Sequence, residues 1–327
     1  MYERQGDAGA MKKILVTVPF NEEQKNCLQK KAENSGVPCR IIFKSRETVA
    51  ETDLKDVQAV IGNLPIHILR KASALEWVQL NSAGANPYAD PGKLVPTVMI
   101  TTASGAYGLA VSEHMLAQTF ALFRRFDQYG DCQRKHQWRA MGKIHSVEGS
   151  VIAVLGMGDI GREYARKVKA LGASVIGVRM HEKPKPEYLD EQILFDQLDE
   201  ILPCADLLAM ILPATAETDD LMNRKRIGLM KQGSFLINCG RGNSLDYQAL
   251  QENLESGHLS GAAIDVAPEE PLPSDSPLWN TDHLIITPHV AGGFYLPETL
   301  NRIACIAGDN LEAWLKGDKM RNTVPRG

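Results

Sequence analysis

Residues 151–179 read VIAVLGMGDIGREYARKVKALGASVIGVR. An apolar run, VIAVLG, leads into Gly156-x-Gly158-x-x-Gly161; a helical segment follows, and a second apolar run, SVIGVR (174–179), closes the unit. Strand, glycine turn, helix and strand is the order of a parallel βαβ unit. Each glycine has a physical task in it. The first permits a tight turn, the second lets an anion approach the backbone, and the third lets helix and strand pack closely. The helix N-terminus then offers free N–H groups and partial positive charge to that anion. Three spaced glycines alone also mark ordinary turns. In this setting the loop Gly156, Met157, Gly158, Asp159, Ile160 and Gly161 is expected to hold a dinucleotide pyrophosphate.

Outward from this unit the same grammar continues. LLAMIL (207–212), SFLINC (234–239), GAAID (261–265) and LIITPH (284–289) read as further strands, making six in a doubly wound sheet with VIAVLG and SVIGVR. Upstream, KKILVTVP (12–19), CRIIFK (39–44), AVIGN (59–63), WVQLN (77–81) and TVMITT (97–102) form a separate strand series. Continuous apolar strands joined by crossovers imply a parallel sheet covered on both faces. Between the two series a helix begins near Gly105, with Leu109, Leu116, Phe120 and Phe123 expected on its buried face. The last segment, 296–317, is amphipathic through Leu296, Leu300, Ile303, Ala307 and Leu311 and stops at Gly317. With no strand after it, this helix is expected to return to the first series. The reading is an α/β chain of two Rossmann-like domains: residues 11–103 completed by 295–327, and residues 104–294.

Composition limits the partners. The chain has 327 residues, enough for two cores, and a net charge of −4, which supplies no basic field for nucleic acid. Six scattered cysteines (Cys27, Cys39, Cys132, Cys204, Cys239, Cys305) include no C-x-x-C pair, which argues against a disulfide framework or a zinc site. No metal is expected. No apolar run approaches the 18 or so residues of a membrane span. The polar opening MYERQGDAGA lacks a signal peptide's apolar stretch and reads as a disordered extension, so a cytoplasmic location is expected.

The residue at the end of the second strand chooses between cofactors. An acid about 20 residues beyond the loop would accept the ribose hydroxyls of NAD. This chain has Arg179 there, followed by His181, Lys183 and Lys185, with Glu182 the only acid among them. A guanidinium suits the extra phosphate of NADP, so NADP(H) is expected to be preferred, with NAD(H) possible.

Three polar groups lie at or just beyond the carboxyl ends of later strands, where open α/β sheets bind ligands. Arg241 follows FLINC, Glu270 lies in AIDVAPEEPLP, and His289 ends LIITPH. Singly, each has a dull explanation as a cap, a solvated charge or a loop histidine. Together they make a reaction centre for a 2-oxo acid. Arg241 holds the carboxylate and polarises the carbonyl, His289 donates a proton to the developing alkoxide, and Glu270 orients the imidazole. Asp265 either contacts the nicotinamide side or simply ends its strand.

With GMGDIG, NCGRG, DVAPEEPLP and TPHVAG in this order and spacing, the sequence from Met11 to about Gly317 resembles the D-isomer-specific 2-hydroxyacid dehydrogenases, glyoxylate and hydroxypyruvate reductases among them. The resemblance implies Arg241 as substrate binder, Glu270 as partner of the histidine and His289 as acid/base. It implies a flavodoxin-like substrate domain whose loop NSAGAN meets the substrate carboxylate with N–H groups near Ala83 and Gly84. It also places Pro213, Thr218, Cys239 and Gly240 along the cofactor, and implies a homodimer. Arg179 departs from the pattern for NAD.

The reaction expected is reduction of a 2-oxo acid to a D-2-hydroxy acid. Phosphoglycerate is less attractive, because LNSAGANPYAD offers no basic side chain for a phosphate, though one could arrive from elsewhere in the fold. A dinucleotide-sensing scaffold, like the co-repressor-like proteins of the same resemblance, is the alternative from another class. Trp138, Phe294 and Tyr295 read as packing anchors, with pocket lining the alternative. His114, mid-helix, reads as structural, and Cys239 has no base beside it to make it a nucleophile.

Overall fold

The structure, a computed structural model, describes residues 11–325; the extension expected at 1–10 lies outside them. The chain forms two compact units. One holds the described residues up to Tyr107 and those from Phe294 onward; the other is Gly108–Gly293.

In the first unit the order is β1 (Lys12–Val16), α1 (Glu22–Asn34), β2 (Cys39–Phe43), β3 (Ala59–Ile61), α2 (Ile66–Leu69), β4 (Trp77–Gln79) and β5 (Met99–Thr101). All pairings are parallel, and the sheet order is β2-β1-β3-β4-β5. The chain steps from β1 to one side and returns on the other for β3, so a crevice opens at their carboxyl ends. Helix α1 begins at Asn21 because a capping box satisfies two orphan donors. Asn21 Oδ1 accepts from Gln24 N, and Gln24 Oε1 accepts from Asn21 N, both at 2.9 Å.

The second unit runs α3 (Gly108–Phe123), α4 (Phe126–Arg134), β6 (Val151–Leu155), α5 (Asp159–Ala170), β7 (Ser174–Arg179), β8 (Glu191–Leu194), α6 (Leu198–Ile201), β9 (Leu207–Met210), α7 (Arg224–Leu229), β10 (Ser234–Asn238), α8 (Tyr247–Glu255), β11 (Leu259–Ile264) and β12 (Leu284–Ile286). Its parallel sheet has the order β12-β11-β10-β9-β6-β7-β8. Strands β9 and β10 are buried along their whole length, as their unbroken apolar runs require. The switch in strand order falls between β6 and β9, directly beneath the glycine loop.

Two expectations need correction. Strand β8 was not expected: its sequence EQIL is short and half polar, and it sits at the sheet edge with only Ile193 buried. The buried face of α3 is also different. Val111, Met115, Thr119 and Leu122 point inward with Phe123, whereas Phe120 is exposed and Leu109 and Leu116 are half-buried. The polar members of this face meet α5. Thr119 Oγ1 lies 2.8 Å from Tyr164 Oη, and Lys167 Nζ donates to Ser112 Oγ at 2.9 Å. Thr119 Oγ1 also donates to Met115 O at 2.8 Å, so it accepts from Tyr164, and removing the Thr119 hydroxyl strands that of Tyr164 at a cost of about 1–3 kcal/mol.

Helix α9 (Pro297–Lys316) belongs to the first unit and packs along α1. Pro297 opens it and Gly317, with φ +73°, closes it. A buried polar chain ties it to the sheet: Asn310 Nδ2 donates to Gln79 Oε1 (2.7 Å), which also accepts from Thr101 Oγ1 (2.8 Å). Beyond the helix, where no strand was expected, Thr323 forms an antiparallel bridge to Thr101.

Candidate active site

The three loop glycines differ in what a methyl group would meet. At Gly156 (φ +98°) a Cβ would lie 2.3 Å from the Ile211 carbonyl oxygen, and at Gly161 it would lie 1.9 Å from that of Gly156. At Gly158 it would meet nothing within 4 Å, and the backbone there (φ −76°, ψ −157°) suits any residue. The fold therefore requires the outer two glycines and leaves space above the middle one. Gly158 caps a 12-residue helix, so that space faces unpaired N–H groups. The loop fits a pyrophosphate. Met157 is buried under it against Gly177. The Asp159 carboxylate packs against Gly108, and its Oδ2 is buried without a hydrogen-bond partner among the described residues. Ile160 is half-buried.

Arg179 stands at the end of β7, its Nε donating to Gln192 Oε1 at 2.9 Å. Burial, and then the neighbouring Arg162 guanidinium, pull its pKa below the usual arginine value. Arg162, in the first turn of α5, donates from Nε to Gly158 O at 3.2 Å. Neither guanidinium has a carboxylate within ion-pair distance among the described residues, although they repel one another. Sequence reasoning missed Arg162. Its signal was available, because the residue after Gly161 lies one helical turn from the loop and faces the end of the next strand.

Other residues expected along the cofactor shape the neighbouring turns. Thr218 is fully buried, and its hydroxyl donates to Pro213 O at 2.6 Å and accepts from Thr215 N at 3.0 Å. Gly240 has no room for a side chain: a Cβ would lie 2.5 Å from Leu212 N. Cys239 is buried, and its Sγ lies 3.4 Å from Gln118 Oε1; burial pushes its thiol well above the usual range, away from nucleophilic chemistry.

Arg241, Glu270 and His289 all belong to the second unit. His289 Nδ1 lies 2.7 Å from Glu270 Oε2, and the other Glu270 oxygen accepts from Ala267 N at 3.1 Å. With Nδ1 facing a carboxylate, Nε2 is left as the free end of the ring. The turn after Arg241 abuts the segment that carries Glu270, since a Cβ on Gly242 would lie 1.8 Å from Ala267 O. The Arg241 guanidinium reaches only its neighbour's carbonyl, Gly240 O at 2.8 Å, with no carboxylate in ion-pair range among the described residues. Glu270 and His289 also wall a pocket of about 450 Å³ with Val266, Leu272, Trp279 and Ile286.

His289 has φ +51°, a left-handed conformation that a side chain with a Cβ adopts at a cost of about 1–2 kcal/mol. Asp265 holds it there. Its carbonyl accepts from His289 N (2.8 Å), and its buried carboxylate accepts from Val290 N and Ala291 N (both 3.0 Å) and from Thr287 Oγ1 (2.6 Å). The Asp265 side chain thus does more than end its strand: it braces the loop that carries His289. His114 joins this cluster, with Nε2 3.1 Å from Thr287 Oγ1 and 3.0 Å from Gln118 Nε2.

Ala83 and Gly84 lie in the first unit, in a loop held by Ser82. The Ser82 hydroxyl donates to Gly84 O (2.7 Å) and accepts from Asn63 Nδ2 (3.1 Å). Neither the Ala83 nor the Gly84 N–H has an acceptor among the described residues. Trp138 is fully exposed, so it is no packing anchor within the chain. Tyr295 is also exposed.

Comparison with known proteins now joins the geometry. The family model described as "D-isomer specific 2-hydroxyacid dehydrogenase, NAD binding domain" matches residues 116–291. The chain is 28% identical to a D-3-phosphoglycerate dehydrogenase of Methanocaldococcus jannaschii over 96% of its own length, but spans only 59% of that relative. It is 28% identical to a glyoxylate reductase of Thermofilum pendens, covering 84% of this chain and 83% of that one. Its fold matches the crystal structure of a D-isomer specific 2-hydroxyacid dehydrogenase from Xanthobacter autotrophicus Py2, in complex with NADPH and MES, with a TM-score of 0.80 at 26% identity, over 97% of this chain and 99% of that one. The chain belongs to the D-isomer specific 2-hydroxyacid dehydrogenase family.

Proposed function

We propose that the chain is an NADPH-preferring reductase that converts a 2-oxo acid to its D-2-hydroxy acid. The observation that carries this reading is the 2.7 Å contact between His289 Nδ1 and Glu270 Oε2, with His289 Nε2 left free, in the same unit as the glycine loop. When bound, the reduced nicotinamide supplies a hydride to the carbonyl carbon. The groups on this chain do the rest. Arg241 holds the carboxylate, which answers its lack of an internal acid. His289 Nε2 passes its proton to the carbonyl oxygen, and Glu270 keeps the ring oriented and stabilises its protonated state before transfer. Gly156, Gly158 and Gly161 seat the pyrophosphate. Arg179 and Arg162, neither with a carboxylate in ion-pair range among the described residues, support preference for NADPH, because they would hold its extra phosphate through charge-assisted contacts. NADH lacks that phosphate.

A homodimer, implied by family membership, is supported by the large apolar side chains left exposed around α3 and α4: Phe120, Phe126, Trp138 and Ile144. The deciding assay follows loss of NADPH absorbance with glyoxylate, hydroxypyruvate, pyruvate, phenylpyruvate and 2-oxoisocaproate, each repeated with NADH. Turnover that prefers NADPH and disappears in His289→Ala is expected. Tight NADPH binding without turnover of any 2-oxo acid would favour a dinucleotide-sensing scaffold instead.

A further inference from the structure

We propose that Cys27 and Cys305, one on each of two packed helices of the first unit, are a redox-active thiol pair that a small disulfide converts to a reversible protein disulfide. Neither thiol is among the residues assigned to the reaction, so the pair stands or falls independently of the reductase reading.

The two thiols come from opposite ends of the chain, so spacing in the sequence hides them. Helices α1 and α9 pack together and run parallel. Near their starts, Gln24 Nε2 donates to Asn301 Oδ1 at 2.7 Å. Farther along, Lys31 Nζ pairs with Asp309 Oδ1 at 3.0 Å and with Glu312 Oε2 at 3.2 Å. Contacts that advance in the same direction on both helices fix their register. Cys27 lies one turn beyond Gln24 and one turn before Lys31; Cys305 lies one turn beyond Asn301 and one turn before Asp309. The two cysteines therefore stand at the same level. They also stand on the same side of the contact. Leu28 and Ala32 on α1, and Ala304 and Ala307 on α9, turn into the core. That leaves Cys27, half-buried, and Cys305, exposed, on the rim that faces water.

The helices are close enough for the bond. A disulfide needs its two Cβ atoms about 3.5–4.5 Å apart. One turn beyond the cysteines, a Cβ on Gly308 would lie 3.8 Å from Lys31 Cβ and 3.2 Å from Lys31 Cγ, so α1 and α9 already approach to that separation. Partial burial, then Cys27, then Asp309 raise the pKa of the Cys305 thiol, so the two sulfurs sense one another; Arg321 opposes the rise and Glu298 adds to it. The chemistry is exchange with a small disulfide, RSSR. The Cys305 thiolate, the more exposed, attacks one sulfur of RSSR to give Cys305–SR and RS−. The Cys27 thiolate then attacks Cys305 Sγ, forms the protein disulfide and expels the second RS−. Two thiols are oxidised, RSSR is reduced to two RSH, and the two thiol protons end on the two leaving thiolates. Tying α1 to α9 joins the start of the chain to its last helix, which restrains the unfolded chain and stabilises the first unit.

The test incubates the folded, full chain with oxidised glutathione at about pH 8.5, where more of each thiol is ionised, then blocks the remaining thiols and maps the peptides by mass spectrometry. A cross-linked peptide joining Cys27 to Cys305, lighter by two hydrogens and released by dithiothreitol, is expected. Cys204, the exposed cysteine of the second unit, should carry a glutathione adduct and so reports that the reagent reacts. Cys27→Ser should leave Cys305 holding the adduct, because the second thiol that would displace glutathione is gone. Cys305→Ser should abolish the cross-link as well. The oxidised chain should melt at a higher temperature than the reduced one, and both variants should lack that gain. A lasting adduct on Cys305 with Cys27 still reduced would overturn the pair. So would cross-links shared among other cysteines, a Cys27–Cys305 bond that forms only in urea, or two unreacted thiols beside a modified Cys204.

Discussion

Gly158→Ala separates what the glycine loop does for the fold from what it does for a ligand. A Cβ at this position meets no protein atom within 4 Å, and the backbone angles suit alanine. The folded chain should tolerate the methyl, or gain about 0.4–1 kcal/mol because the unfolded chain loses freedom. A pyrophosphate seated on the helix N-terminus cannot tolerate it. Its oxygens would accept from those N–H groups at about 2.8–2.9 Å, and a methyl that pushed them back by about 1 Å would take the bonds beyond hydrogen-bonding range. One lost bond to a charged acceptor is worth about 1.5–3 kcal/mol, which weakens NADPH binding about 10- to 150-fold. The assay is paired: NADPH affinity by calorimetry, and the melting temperature without cofactor. Gly161→Ala is the control with the opposite pattern. Its methyl would lie 1.9 Å from Gly156 O, so the loop must shift, at about 1–3 kcal/mol of stability. Gly158→Ala with full NADPH affinity, or with a melting temperature lowered as far as in Gly161→Ala, would refute the reasoning.

Other perturbations test neighbouring steps. Arg179→Gln should weaken NADPH about 10- to 100-fold in titration and leave NADH nearly unchanged, with Arg162→Gln a smaller version of the same change. Glu270→Gln should lower kcat about 10- to 100-fold at saturating substrate while NADPH affinity stays the same, because the imidazole loses its anionic partner but the dinucleotide loop is untouched. His145, packed against Phe123 and Phe235, has its pKa lowered by burial from 6.5. Above that pH both folded and unfolded chains hold it neutral; as pH falls through 6.5 the unfolded chain takes a proton that the folded one refuses, so stability drops. His145→Leu should flatten the fall in melting temperature between about pH 7 and pH 5.5.

The parallel strands were legible because buried strands read as unbroken apolar runs, and eleven such runs stand in the sequence as strands of the fold. What failed did so where the fold relies on other physics. EQIL forms β8 through edge pairing with β7, a backbone effect that composition hides. On α3, Leu109, Leu116 and Phe120 were read as core with Phe123, yet Val111, Met115, Leu122 and Phe123 are buried there beside Gly108, Ser112 and Thr119, and Phe120 is left outside. Apolar spacing on a helix that is apolar on several sides does not say which side its neighbours cover.

The candidate site divides in the same way. Arg241, Glu270 and His289 were legible because each follows a strand, and parallel strands deliver their ends to one edge of the sheet. The positioning around them was not. Asp265 lies far from His289 in sequence, and no motif says that one carboxylate takes the N–H groups of two consecutive residues in the histidine's loop. Yet that arrangement is what a left-handed histidine needs. Its backbone conformation costs about 1–2 kcal/mol, and several hydrogen bonds from one buried carboxylate, each worth about 1.5–3 kcal/mol, outweigh it. A relaxed loop would leave the imidazole free to turn away from Glu270. The strain and the buried acid are therefore parts of one device: Asp265 sets where His289 stands, and Glu270 sets which way its ring faces.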